Sequence, residues 1–275
     1  MDDKLDKEMI LQSIEQGLFG GGVHLFDSID STNDWSLEEI GRGRALPFVC
    51  LAEHQSRGRG RRGRHWLSPP GANINLSLAW HFGLSPNSLG VLPLALGVAV
   101  KRALQAIGIN DAWVKWPNDV LIDDRKIAGI LVVTRVVLTD ACSAVIGIGV
   151  NFRMPLNCLA DSSMRWTDVV HAGADRLADR NKLAAMLINE ATAMCRQYQR
   201  KAQSLLVEIG DELGRLTGRD VCLHFDNGEQ LTGRVTGIND TGELRVLVDG
   251  QERMFSSADV SLGKPVEPPV PGGSC

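Results

Sequence analysis

Residues 57–64 read R-G-R-G-R-R-G-R, five arginines and three glycines in a chain whose net charge is −4. A guanidinium offers a planar fork of donors suited to carboxylates and phosphates. Interspersed glycines let the backbone bend close to a ligand and present bare N–H groups. The segment is therefore read as a place where anions are held. A second polar cluster, Lys115-Trp116-Pro117-Asn118-Asp119, is followed after Asp123-Asp124 by Arg125-Lys126-Ile127-Ala128-Gly129. Pro117 pushes Trp116 toward extended backbone. That puts Asn118 and Asp119 where a strand ends, with a plain hairpin as the competing reading. Lys126 opens the next strand, with Gly129 leaving space beside it. The six histidines show no metal-ligand spacing, and no G-x-S-x-G elbow occurs. What remains is cationic positioning, which suits phosphoryl and nucleotidyl transfer rather than covalent enzyme catalysis.

The elements that must position these groups follow from periodicity. Residues 73–80 alternate, with Ile74, Leu76, Leu78 and Trp80 facing one way and Asn73, Asn75 and Ser77 the other. That is the period of a half-buried strand. Further strands are expected from Val23, over 48–52, 113–116, 127–133 and 145–151, the last with Gly147 and Gly149 keeping one face bare. A short helix is expected within 1–19, using Met9, Ile10 and Ile14. The turn 29–33 leads into a second helix with Ser31 or Thr32 as N-cap. The apolar run 91–100 reads as a buried core helix continuing to a stop at Gly108, and 182–199 as an amphipathic helix. Gly58, Gly60 and Gly63 satisfy G-x-G-x-x-G, but Pro69-Pro70-Gly71 ends any helix that would have to follow. A dinucleotide-binding fold is thereby excluded.

After Leu213 short β-type runs alternate with Asp226-Asn227-Gly228, Asn239-Asp240-Thr241-Gly242 and Asp249-Gly250. This spacing predicts a small antiparallel barrel over 214–263, with a disordered Pro/Gly-rich tail over 264–275. Acidic residues outnumber basic ones in 214–263, which makes it a poor nucleic-acid binder. The N-terminus has no apolar signal region, and the run 91–100, broken by Pro93 and Gly97, is too short to cross a bilayer. The six cysteines form no C-x-x-C pair. A cytoplasmic protein is expected, without membrane association.

Taken together, several segments resemble biotin protein ligase, the biotin–[acetyl-CoA-carboxylase] ligase family. They are Asp30-Ser31-Thr32-Asn33, then Ala52-Glu53-His54-Gln55 leading into 58–66, then Gly71-Ala72-Asn73. Residues 115–119, 125–129 and Gly147-Ile148-Gly149-Val150-Asn151-Phe152 complete the set. The resemblance spans roughly residues 24–200. It implies an α+β fold with a central mixed sheet and flanking helices, the class II synthetase-like biotin/lipoate ligase catalytic domain, over 1–213. The terminal barrel would match the family's SH3-like domain. The implied reaction forms biotinyl-5′-AMP from biotin and ATP, then transfers biotin to a lysine of biotin carboxyl carrier protein.

By the same resemblance, Ser31, Thr32, Asn33 and Gln55 would line the biotin pocket. Arg59, Gly60 and Arg61 would wrap the carboxylate and phosphate, and Lys126 would hold the activated junction, with Arg61 and Lys126 the catalytic pair. Arg62 and Trp66 would meet the adenylate, Trp66 shielding the adenine. Lys115, Asn118, Asp119 and Asn151 would serve ATP and its Mg2+. The glycines of the arginine loop suggest a segment that orders on ligand binding. The family's DNA-binding winged helix-turn-helix does not fit before Val23, so a form without DNA binding is expected. A homodimer is left open. The alternatives are a lipoate–protein ligase of the same fold, whose R-R-x-x-G-G-G motif is absent, and a non-enzymatic arginine-loop nucleic-acid binder.

Overall fold

The alternating strand at 73–80 becomes the centre of the molecule because both of its faces are covered. The computed structural model describes residues 4–138, 141–155, 158, 165–173 and 179–263. In chain order the first elements are α1 (Lys7–Ser13), β1 (Val23–Ile29), α2 (Thr32–Gly41), β2 (Phe48–Gln55), β3 (Asn73–Phe82) and α3 (Leu92–Gln105). They are followed by β4 (Trp113–Lys115), β5 (Asp119–Ile122), β6 (Arg125–Leu138), β7 (Ala141–Asn151) and α4 (Arg180–Glu212). The seven strands form one sheet in the order β1-β2-β3-β7-β6-β5-β4. Only β1 and β2 run parallel, so the sheet is mixed.

One face of the sheet is apolar and carries α3 and α4. Ile74, Leu76 and Leu78 pair with Val150, Ile148 and Ile146, and all six side chains are buried beneath these helices. The other face carries α2 over β3 and β7. Here Asn73, Asn75 and Ser77 are as buried as their apolar neighbours. The half-buried expectation for this strand is therefore corrected. Its polar face turns toward a site under α2, not toward water.

Ser31 caps α2, its hydroxyl accepting from the Asp34 N–H at 3.3 Å. The apolar run at 91–100 forms the start of α3, with Val91 as its N-cap, and Gly108 ends the turn beyond the helix at φ +87°. The helical stretch Pro86–Gln105 is long and apolar enough to cross a membrane, but 67% of its apolar 18-residue window is buried inside the fold. The length argument against a span gives way to this burial. Within α1, Ile10 is buried whereas Met9 is 46% exposed, so Met9 is not part of the core.

The second sheet comprises β8 (Asp220–His224), β9 (Gln230–Ile238), β10 (Leu244–Val248), β11 (Gln251–Phe255) and β12 (Asp259–Leu262). It is antiparallel, in the order β11-β10-β9-β8-β12, around Val221, Leu223, Val235, Leu244, Val246 and Val260. The last two strands, β11 and β12, are not announced by the sequence pattern. Asp119 likewise begins β5 and does not end a strand, because Pro117 and Asn118 form the turn between β4 and β5. The tail 264–275 lies outside the described residues.

Candidate active site

Register across the sheet builds the floor of the site. Lys115 pairs with Asp119, Asp119 with Gly129, Gly129 with Gly149 and Gly149 with Asn75. Directly paired residues share a face, so this row lies on the α2 side. Its two glycines leave a trough. A Cβ on Gly149 would stand 2.5 Å from the Trp66 indole, and one on Gly129 would stand 2.9 Å from the Lys126 Nζ. Trp66 and Lys126 therefore lie where side chains would otherwise project. Trp66 donates from Nε1 to Asn75 Oδ1 at 3.1 Å, and the Lys126 ammonium sits 5.7 Å from its ring centroid.

Lys126 reaches this face through a β-bulge. Pairing runs from Asp119–Gly129 and Val120–Ala128 straight to Leu121–Lys126, leaving Ile127 as the extra residue. The one-residue slip turns Lys126 toward Asp119. Their ion pair measures 2.6 Å, and Lys115 Nζ lies 4.0 Å from the same carboxylate. Burial alone would raise the Asp119 carboxyl, but Lys126 and Lys115 outweigh it and hold the group below its ordinary range. Burial pushes the Lys115 ammonium down, with Asp119 opposing and Lys126 adding to the effect.

The start of α2 supplies the polar end. Gln55 Oε1 accepts from the Thr32 N–H at 2.8 Å and from the Thr32 hydroxyl at 3.0 Å. Gln55 Nε2 donates to Asn75 Oδ1 at 3.2 Å. Ser77 Oγ lies 2.7 Å from Thr32 Oγ1 and 2.5 Å from Asn33 Oδ1. Asn33 fits there because Gly147 carries no side chain, a Cβ at that position meeting Asn33 Oδ1 at 2.5 Å. Asn151 closes the far side, donating to the carbonyls of Lys126 at 3.3 Å and Thr167 at 3.0 Å.

The arginine segment is a hairpin, not a loose loop. Arg59 bridges His65, Gly60 donates to the Arg64 carbonyl at 2.7 Å, and Trp66 donates to the Gly58 carbonyl at 2.8 Å. Gly58 is required by close approach, since a Cβ there would stand 2.7 Å from the Trp66 carbonyl. The tip turns through Arg62 and Gly63 at φ +57° and +71°. Carboxylates of the same chain partner four of the five arginines. Arg57 meets Asp30, Arg59 meets Asp34, Arg62 meets Asp226 at 2.9 Å, and Arg64 meets Asp259 at 2.6 Å. Arg61 instead donates to Ser257 Oγ at 2.9 Å and Asn118 Oδ1 at 3.4 Å. The second sheet thus holds the hairpin from outside.

A cavity of about 340 Å³ lies between hairpin, sheet and α2. Ser31, Thr32, Asn33, Gln55, Arg59, Gly60, Arg61, Trp66, Asn118, Lys126 and Asn151 all line it. Arg62, Lys115 and Asp119 do not. Arg62 is turned to the second sheet, where it also donates to the His224 carbonyl at 2.8 Å. Lys115 and Asp119 stand behind Lys126 in the cross-sheet row. Sequence reasoning missed Arg64, Asn75 and Trp166, which line the same cavity. Trp166 forms a parallel bridge with Lys126 across forty residues of chain, and nothing local announces it. The alternation of 73–80 did announce a polar face holding Asn75. Among the described residues no group of three or more His, Cys, Asp or Glu is placed to hold a metal.

Fold and cavity together describe a site for joined anionic and neutral polar groups, and relatives sharpen that description. Residues 25–151 match the biotin/lipoate A/B protein ligase family, and 218–263 match the biotin protein ligase C terminal domain. The bifunctional ligase/repressor BirA of Escherichia coli is 36% identical over 245 residues, 89% of this chain and 75% of that protein. A biotin–[acetyl-CoA-carboxylase] ligase of Mycobacterium tuberculosis is 30% identical over 268 residues, 94% of this chain and 97% of its own. The fold is shared with a biotin protein ligase from Aquifex aeolicus solved in complex with biotin and ATP. That match has a TM-score of 0.69 at 23% identity, covering 89% of this chain and 99% of that one. The chain belongs to the biotin protein ligase family.

Proposed function

We propose that this protein is an ATP-dependent ligase that activates biotin as biotinyl-5′-AMP and passes it to a lysine of a biotin carboxyl carrier domain. The observation that carries this reading is the cavity wall. Arg59, Arg61, Arg64 and Lys126 line it, and no carboxylate is among the lining residues described. Two anions that repel one another, a carboxylate and a polyphosphate, need such a wall to meet. The neutral end, with the hydroxyls and amides of Ser31, Thr32, Asn33 and Gln55, offers acceptors and donors to a ureido ring. Lipoate, whose dithiolane has no N–H, would leave these groups unmatched.

In the first step a biotin carboxylate oxygen attacks the α-phosphorus of ATP. The new O–P bond forms as the bond to the β-phosphate oxygen breaks, releasing pyrophosphate. Arg61 and Lys126 neutralise charge at the junction, and a well-placed donor contributes about 3 kcal/mol to such a transition state. In the second step the carrier amine attacks the anhydride carbonyl. A C–N bond forms, AMP leaves with the C–O electron pair, and the amine proton passes to solvent. Trp66, lying over Gly149, supplies an aromatic wall for the adenylate and keeps water from the anhydride. Asn118 and Asn151 offer amides to the nucleotide, while Lys115 and Asp119 act from behind Lys126. Mg2+ would arrive on the ATP phosphates. Residues 1–213 would form the catalytic unit and 214–263 a module bracing the arginine hairpin, in a cytoplasmic enzyme.

A nucleic-acid role is disfavoured because Arg57 and Arg62, the two arginines of the segment that do not line the cavity, are matched by Asp30 and Asp226 of the same chain. Thermal melts with biotin plus MgATP, with lipoate plus MgATP, and with an oligonucleotide test the reading. Ligand at a hundred times its Kd stabilises by about 2.7 kcal/mol. A shift confined to the biotin pair is expected, and a shift produced by lipoate or oligonucleotide alone would overturn the assignment.

A further inference from the structure

Asp119 is shared by two lysines, and only one of them reaches the cavity. Lys126 lines the cavity and holds Asp119 at 2.6 Å, whereas Lys115 stands behind it at 4.0 Å. The side chains of Lys115 and Asp119 are each only 15% exposed. Lys115 and Asp119 are paired across β4 and β5, so the two groups are aimed at one another by the sheet itself. Resting on the ligase reading, the geometry creates a difficulty. To meet a carboxylate or phosphate, Lys126 must loosen its grip on Asp119. A buried carboxylate stripped of its partner is strongly unfavourable, so Lys126 would be held back.

We propose that Lys115 is a positioning residue that takes over Asp119 and thereby releases Lys126 to the reacting groups. A lysine has four methylene groups and a mobile ammonium, and the remaining gap is closed by a rotamer change without backbone movement. Lys115 never touches substrate. It acts by keeping the buried carboxylate paired while Lys126 turns, and this explains why a cation is buried where it meets no cavity. The cost of burying it shows in the depressed proton affinity of its ammonium.

The test compares four full-length proteins in single-turnover release of pyrophosphate from biotin and MgATP: wild type, Lys115→Met, Lys115→Arg, and Lys115→Met combined with Asp119→Asn. Melting curves confirm that each is folded. Lys115→Met is expected to lose at least tenfold in the adenylation rate with less than threefold change in the KM for biotin. Lys115→Arg keeps the charge and is expected to retain most of the rate. The double variant removes the carboxylate that traps Lys126 and is expected to recover at least part of what Lys115→Met lost. A double variant no faster than Lys115→Met, or a Lys115→Met enzyme with the wild-type rate, would overturn the inference. Should wild type itself release no pyrophosphate, the ligase reading fails instead, so the two failures are separable.

Discussion

Substituting Gly149 by alanine is the sharpest perturbation the sheet allows. Gly149 does not have a left-handed φ, so alanine is tolerated by its backbone. In a strand interior it would stabilise by about 0.5–1 kcal/mol. Its Cβ, however, would stand 2.5 Å from the Trp66 ring, where ordinary contact begins at 3.4 Å. The indole must retreat by about an ångström, and overpacking of this kind costs roughly 1–3 kcal/mol. Moving the ring also weakens the Trp66–Asn75 hydrogen bond, which contributes on the order of 1 kcal/mol. The net loss is about 1–3 kcal/mol, a fall in Tm on the order of 5 °C for a chain of this size. In a Trp66→Ala background the three nearest atoms to that Cβ are gone, and the same substitution should be neutral or stabilising. Urea unfolding of the four proteins gives the coupling, expected at roughly 2–3 kcal/mol. Equal effects of Gly149→Ala in both backgrounds would refute the packing of Trp66 in the glycine trough.

Three further outcomes follow from the same geometry. Arg61→Gly removes a charged donor poised between the cavity and Ser257; adenylate should escape about tenfold to a hundredfold faster in rapid filtration, and unchanged retention would reject the role. The folded Asp119 carboxyl sits below its ordinary 3.8, so its contribution to stability is complete above that pH and is lost as pH falls through the lower folded value. Urea midpoints of Asp119→Asn should therefore fall less steeply than wild type below roughly pH 4, and parallel slopes would contradict this. Burial pushes the Cys50 and Cys195 thiols up, so both should resist alkylation at neutral pH until the protein unfolds, while Cys222 reacts in the native state. Mass mapping of native and denatured samples reads this directly, and native labelling of Cys195 would be the contrary result.

Much of the local structure was legible because it rests on local causes. The Ser31 cap, the apolar core helix and the alternation of 73–80 each carry their signal within a few residues. The arginine segment, too, announces its chemistry through composition. What escaped was pairing at long range. The sequence marks Asn75 as polar but not that register sets it opposite Gly149, making a strand face into a cavity floor. The Ile127 bulge that turns Lys126 inward depends on the partner strand, and so does the shared carboxylate behind it. Trp166 and Asp259 reach the site from distant segments through one bridge and one ion pair. The short strands β5, β11 and β12 were overlooked because four or five residues beside turns carry little periodic signal.

The most direct measurement mixes the purified chain with biotin, MgATP and an apo biotin carboxyl carrier domain, and follows biotin on the carrier by intact mass. One biotin per carrier should appear only when ATP is present, and none should appear on a carrier whose acceptor lysine is replaced by arginine. A carrier that stays unmodified while the chain is folded and supplied with both ligands would contradict the account.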